Sequence, residues 1–79
     1  MLVEARIKLK NEVLDPQGEA IRRVLAGLGY ESVQQVRVGK LMLLEVAGDD
    51  AEKVRQRVEG ACRELLANPV IEDFEVRIP

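Results

Sequence analysis

Two helical patterns, each flanked by strand patterns, run through this chain of 79 residues. Apolar and charged side chains alternate over residues 2–10, which predicts a strand with one buried face. A helix is predicted next, because Asp15 is a favoured N-cap, Pro16 suits the first helical position and Gly29 suits a left-handed helix end. Its apolar stripe, which we expect to face the core, consists of Ile21, Val24, Leu25 and Leu28.

A β-hairpin is predicted in the middle of the chain. Residues 33–38 and 41–47 carry strand patterns, and Gly39-Lys40 between them fits a two-residue type II′ turn with glycine at its first central position. The later strand is apolar on both faces, one carrying Leu41 and Leu43 and the other Met42, Leu44 and Val46. A sheet with one solvated face alternates more cleanly than this, so we expect something to cover Leu41 and Leu43.

A second helix and a last strand complete the pattern. The helix is predicted from about Asp50 to Ala67, where Asn68-Pro69 ends it. The apolar stripe of this helix consists of Val54, Val58, Ala61, Cys62 and Leu65. Residues 70–78 then alternate as a strand whose inward residues are Phe74, Val76 and Ile78.

The order β-α-β-β-α-β predicts an α+β fold in one domain over residues 1–79. We expect a two-layer sandwich, with a four-stranded antiparallel sheet and both helices on one face. The other face, with Leu41 and Leu43, would be bare in a single copy. A domain this short buries only roughly 60–65% of its unfolded surface. We therefore expect a homodimer or homotetramer, built on that sheet face or on strand edges.

Charge and hydropathy exclude several classes of partner. The chain has 12 basic and 14 acidic side chains, and no basic stretch that would displace counterions from nucleic acid or bind an anionic membrane. Its longest uncharged apolar run, residues 41–44, is far shorter than the ~20 residues that span a bilayer. The first residues lack the pattern of a signal peptide, so we expect a cytoplasmic protein.

Few side chains could carry chemistry. The chain has no histidine, which removes the usual general base near neutral pH and a common metal ligand. Its one cysteine, Cys62, lies on an apolar stripe and is predicted to be buried and structural. Two members of the cluster Glu72, Asp73 and Glu75 could bind a cation, although a solvated strand face is the commoner explanation. We expect no catalytic, cofactor-binding or metal-binding residues.

Three short segments contain residues that the folding of a small domain alone does not require. At the first helix start, Gly18 costs up to ~1 kcal/mol relative to alanine, which suggests close approach of another backbone or a ligand. The other two segments are the expected hairpin tip, Gly39-Lys40, and the junction after the second helix, residues 65–73. With the bare sheet face they supply the candidate partner contacts. These are Asp15, Pro16, Gln17, Gly18, Gly39, Lys40, Leu41, Leu43, Asn68, Pro69, Val70, Ile71, Glu72 and Asp73.

These segments resemble the PurS family, the small subunits of phosphoribosylformylglycinamidine (FGAM) synthase. The similarity covers essentially the whole chain. It runs in order through residues 7–10 (IKLK), 13–18 (VLDPQG), 28–30 (LGY), 36–40 (VRVGK) and 65–73 (LLANPVIED).

The resemblance implies a non-catalytic subunit of a ligase complex in purine biosynthesis. In such a complex a glutaminase subunit (PurQ) releases ammonia from glutamine. A synthetase subunit (PurL) uses ATP and Mg²⁺ to activate the amide oxygen of formylglycinamide ribonucleotide (FGAR), and ammonia then displaces phosphate to give FGAM. The small subunit would bridge the other two, assist ammonia transfer, bind no cofactor itself and form homodimers or larger homo-oligomers.

Other classes share this order of elements. ACT-like modules bind amino acids near the loop between the first strand and helix, but that loop, residues 11–16, lacks the expected Gly-rich turn. RNA-recognition domains stack bases on exposed aromatic side chains, which the first and third predicted strands lack. A stand-alone enzyme would need acid–base groups that the composition does not supply. The ACT-like sensor stays open as the main alternative.

Overall fold

Six elements follow one another in the computed structural model, which describes residues 1–79. They are β1 (Leu2–Leu9), α1 (Pro16–Gly27), β2 (Gly39–Glu45), α2 (Ala51–Ala61), a π-helical turn (Cys62–Leu66) and β3 (Glu72–Arg77). The α+β class and the starts of both helices are as predicted, with Asp15 and Asp50 as N-caps. None of the helices combines the length and the apolarity that crossing a bilayer requires.

The sheet has three antiparallel strands in the order β2-β1-β3. Ala5 in the central strand lies opposite Met42 on one side and Val76 on the other. These residues face α2, and we call this the inner face of the sheet. On the outer face, Arg6 lies opposite Leu41 and Glu75. A single copy therefore has three strands where the sequence pattern predicted four.

The predicted hairpin is wrong. Gly39 and Lys40 are the first residues of β2, opposite Lys8 and Ile7, and residues 33–38 form no strand. A type II′ turn needs a positive φ at its first central residue, whereas the positive φ values belong to Gly29 and Gly48. The chain runs straight through Gly39-Lys40 because segment 36–38 is held elsewhere, by residues that follow β1.

The core lies between the inner face of the sheet and α2. Val3, Ala5 and Ile7 of β1 are fully buried, and the first two pack with Val54, Val58, Cys62 and Val76. Cys62 is completely buried, as its position on the stripe predicted. Leu65 is not in the core, because the wider π-helical turn changes the spacing after Cys62 and leaves Leu65 82% exposed, while Leu66 packs on the core.

Helix α1 departs from the predicted sandwich. Only α2 packs against the sheet, and the α1 stripe faces solvent, with Val24 63% and Leu28 68% exposed. The molecule is correspondingly elongated, with extents of 49 × 25 × 14 Å and a radius of gyration of 15.9 Å. A compact domain of this length has a radius of gyration of about 12 Å. The expectation that both helices cover one face holds for α2 and is wrong for α1 in a single copy.

Candidate functional site

Asp15 joins the start of α1 to segment 36–38. One carboxylate oxygen accepts a hydrogen bond from the Gly18 N–H at 2.9 Å, and the other accepts from the Val38 N–H at 2.7 Å. These two bonds, that from Val38 first, hold the pKa of Asp15 below its ordinary value. Nearby Arg37 acts in the same direction, and burial opposes it. The Arg37 guanidinium also donates to the Lys10 carbonyl at 2.8 Å.

The glycine in the first turn of α1 is explained by a close approach between two backbones. Gly18 is buried, and a Cβ atom at this position would collide with the Val36 carbonyl oxygen. Of the two approaches suggested by the sequence, a backbone or a ligand, the structure shows a backbone. The neighbouring candidates Pro16 and Gln17 are exposed on the surface of the helix start.

Two of the candidate segments, Gly39-Lys40 and the junction after the second helix, meet at one end of the sheet. The Lys40 ammonium lies 3.7 Å from a Glu72 carboxylate oxygen. The other Glu72 oxygen accepts from the Asn68 N–H at 2.7 Å, and the Asn68 side chain accepts from the Val70 N–H at 3.1 Å. The Lys40 side chain is 59% exposed and the Glu72 side chain 13% exposed, so water around Lys40 screens the ion pair and limits its contribution to about 1 kcal/mol. The network therefore shapes the turn before β3 more than it stabilises the domain.

The outer face of the sheet is apolar mainly along β2, with Leu2 of β1 beside it at one end. Leu41 and Leu43 are 59% and 63% exposed, so nothing in a single copy covers them. The remainder of this face consists of oppositely charged residues placed across β1 and β3. The facing pairs are Glu4 with Arg77, Arg6 with Glu75 and Lys8 with Asp73. These charged pairs are suited to contact with water. Only the apolar residues on the β2 side of this face would gain from being covered by another chain.

An open cavity of about 630 Å³ lies where segment 36–38 passes the sheet. Its charged lining residues are Arg6, Lys8, Arg37, Lys40, Asp73 and Glu75. Four of the candidate contact residues line this cavity together: Gly39, Lys40, Leu41 and Asp73. A smaller cavity of about 450 Å³ lies beside the π-helical turn and includes Pro69 and Glu72.

The turn before β3 exposes apolar side chains. Val70 is 78% exposed, and Ile71 and Leu65 also reach the surface. Leu65 is exposed because of the π-helical turn, which the sequence pattern did not indicate. The exposed stripe of α1 was also missed, since helical spacing reveals an apolar face without revealing which chain covers it.

The titratable residues do not assemble a reactive centre. Burial raises the pKa of the Cys62 thiol, which disfavours the nucleophilic thiolate form. No three aspartate, glutamate or cysteine side chains lie close enough to hold a metal ion. Asp73 and Glu75 share the outer face, but each lies opposite a basic residue.

These features define a class of protein: a small, elongated α+β domain with exposed apolar surface on a helix, a sheet edge and a turn. Residues 2–79 match the family model described as "PurS: Phosphoribosylformylglycinamidine (FGAM) synthase". The chain belongs to the PurS family, as its motifs predicted.

Individual relatives agree over nearly the whole chain. The phosphoribosylformylglycinamidine synthase subunit PurS of Methanocaldococcus jannaschii is 44% identical over 72 residues, which are 91% of this chain and 87% of the relative. A crystal structure of PurS from the same organism superposes with a TM-score of 0.87 at 41% identity, covering 96% and 92% of the two chains. A chain in the structure of PurLQS from Thermotoga maritima has a TM-score of 0.83 at 42% identity, covering 98% and 96%.

Proposed function

We propose that this chain is a bridging subunit of FGAM synthase that holds a glutaminase subunit (PurQ) and a synthetase subunit (PurL) together. The observation that carries the proposal is the whole-chain similarity to a chain of the Thermotoga maritima PurLQS structure. In this role the chain contributes no reacting group. ATP and Mg²⁺ are used by the complex, in the cytoplasm, to convert FGAR and glutamine to FGAM.

The exposed surfaces support a role in assembly. Leu65, Val70 and Ile71 expose apolar side chains in the π-helical turn and the turn before β3, and other exposed places on the same elongated body include Pro16, Gln17 and Gly39-Lys40. Large exposed apolar patches on small proteins commonly mark interaction sites. A body 49 Å long can reach two larger partners at once.

A bridging subunit would help to keep ammonia reactive while it passes between the two active sites. Ammonia released into bulk water is protonated and diluted, and ammonium has no lone pair with which to attack an activated amide. A closed interface between the two active sites avoids this loss. We propose that the bridging subunit keeps the glutaminase and the synthetase in register so that this interface forms.

We also propose that the chain works as a homodimer or homotetramer. Only ten of its 79 residues are buried, and α1 has no sheet to cover in a single copy. A domain of this size with so small a core is marginal on its own.

A reconstitution tests the bridging role. The synthetase and glutaminase subunits are combined with ATP, Mg²⁺ and FGAR, and FGAM formation is measured with and without this chain. We expect glutamine-dependent activity only when the chain is present, and ammonia-dependent activity in both cases. If neither activity changes and the three proteins do not co-elute on a sizing column, the proposal fails, and a thermal-shift screen with amino acids would test the ACT-like alternative.

A further inference from the structure

One edge of the sheet is formed by β3, because no strand lies beyond it in the order β2-β1-β3. The direction of its backbone groups follows from the bond that the Lys10 N–H donates to the Ile71 carbonyl. Residue 71 and every second residue after it point their backbone groups toward β1. The backbone groups of Glu72, Phe74 and Val76 therefore point away from the sheet, along the free edge of β3.

A free strand edge is a hazard for a small protein. Its unpaired N–H and C=O groups form a template with which a strand of another molecule can pair. The charged side chains of β3 do not prevent such pairing between copies. If two β3 strands paired antiparallel about Glu75, each Asp73 would lie opposite an Arg77. Two attractive pairs would then outnumber the single facing pair of glutamates.

Two arginines that follow from the second helical region lie at this edge. The guanidinium of Arg55, in α2, donates to the Val76 carbonyl oxygen at 2.6 Å and so occupies an acceptor that a pairing strand would need. The guanidinium of Arg63, in the π-helical turn, lies over the Phe74 ring, 5.7 Å from its centroid. The Glu72 N–H, at the start of the strand, is already bonded to the turn before β3. Each residue whose backbone points outward therefore has a neighbour at the free edge.

We propose that Arg55 and Arg63 keep the free edge of β3 closed to strand pairing, so that a second copy of this chain cannot add its own β3 there. An incoming strand would have to take the Val76 carbonyl from Arg55, and it would have to bury or displace both guanidinium groups. A charged group that leaves water without a partner costs free energy, whereas at the open edge the half-buried Arg55 and the exposed Arg63 keep their contact with solvent. The two arginines thus oppose pairing without opposing the fold.

Closing this edge matters for a chain that exposes apolar side chains elsewhere, as this one does on α1 and along β2. If copies could associate there and also pair through β3, each copy would have two separate interfaces. Repeated addition would then give an open chain of copies instead of a closed assembly. This role is separate from the proposed bridging function, because it concerns an association that the chain avoids and not the partners that it holds together.

Sedimentation velocity over a range of protein concentrations tests the proposal. Arg55→Ala frees the Val76 carbonyl, Arg55→Lys keeps a charged donor beside it, and Arg57→Ala removes the same charge from an exposed position of α2. We expect Arg55→Ala to form species larger than the wild type, at concentrations at least tenfold lower, and the further change Arg63→Ala to strengthen this effect. Arg55→Lys and Arg57→Ala should sediment like the wild type. Reduced charge repulsion would not explain the result, because each alanine variant makes the net charge of −2 more negative.

Amide hydrogen exchange followed by NMR shows where the copies join. The Phe74 and Val76 N–H groups should exchange rapidly in the wild type, and at least tenfold more slowly in concentrated Arg55→Ala, because a second strand then pairs with them. Larger species that form without this protection, or with loss of protection in β1, arise from another surface or from unfolding and overturn the proposal. An Arg55→Ala variant that keeps the wild-type size at every concentration overturns it as well.

Discussion

The Val38 N–H donates a hydrogen bond to the Asp15 carboxylate at 2.7 Å, across 23 positions of the chain. The same carboxylate caps α1 through the Gly18 N–H. One side chain thus sets both the start of α1 and the course of the segment leading into β2. This contact fixes the direction in which α1 leaves the sheet.

Replacing Asp15 should cost more than removing a helix cap. Asp15→Ala leaves two N–H groups without their partner, one of them in a segment that no strand holds. We expect the melting temperature to fall by roughly 5–10 °C. Asp50→Ala is the control, because Asp50 caps α2 through local bonds only. Equal effects of the two substitutions in thermal melts monitored by circular dichroism would show that the bond to Val38 adds nothing.

The Asp15 carboxylate should also make stability depend on pH in the acid range. Its pKa is lowered on folding from an ordinary value of 3.8, so the unfolded chain binds more protons below about pH 5 and stability rises with pH. The contribution is present above pH 3.8 and is lost as pH falls through the lower folded pKa. Glu19, whose pKa is lowered by the hydrogen bond from Arg22, acts in the same direction.

Melting temperatures of the wild type and Asp15→Asn, measured from pH 7 to pH 2, test this dependence. We expect the difference in melting temperature between the two proteins to be greatest above pH 5 and to shrink toward pH 2. Asparagine is uncharged at every pH, and protonation makes Asp15 uncharged too, so the two side chains become alike in acid. A constant difference across the range contradicts the lowered pKa of Asp15. The Glu19 contribution is common to both proteins and cancels in the comparison.

Two glycines of α1 should respond oppositely to alanine. Gly18→Ala puts a methyl group against the Val36 carbonyl oxygen, so we expect a loss of stability despite the better helix propensity of alanine. Gly27→Ala meets nothing within 4 Å and should stabilise the chain by up to about 1 kcal/mol. Urea unfolding of both variants gives the comparison. A Gly18→Ala variant as stable as Gly27→Ala would contradict the close backbone approach.

Local patterns were enough to predict β1, β3 and the starts of both helices, because these depend on alternation and on caps at Asp15 and Asp50. The hairpin prediction was wrong because the turn preference of Gly39-Lys40 is local, whereas Val38 is bound by Asp15, 23 positions earlier. The π-helical turn was missed because apolar spacing does not reveal a widened turn. Among the candidate residues, the sequence suggested a close approach at Gly18, but only the fold brings Lys40 to Glu72.

The apolar patch before β3 should matter for assembly and little for folding. Val70 is 78% exposed, so Val70→Asp should change the melting temperature by no more than about 2–4 °C. If the patch contacts a larger subunit, burying the new carboxylate without a partner should weaken that contact at least tenfold. The measurement is the concentration of this chain that gives half-maximal glutamine-dependent FGAM formation in the reconstituted complex. Ala47→Asp, which places the same charge in the loop after β2, is the control. An unchanged half-maximal concentration with Val70→Asp would remove this turn from the partner surface.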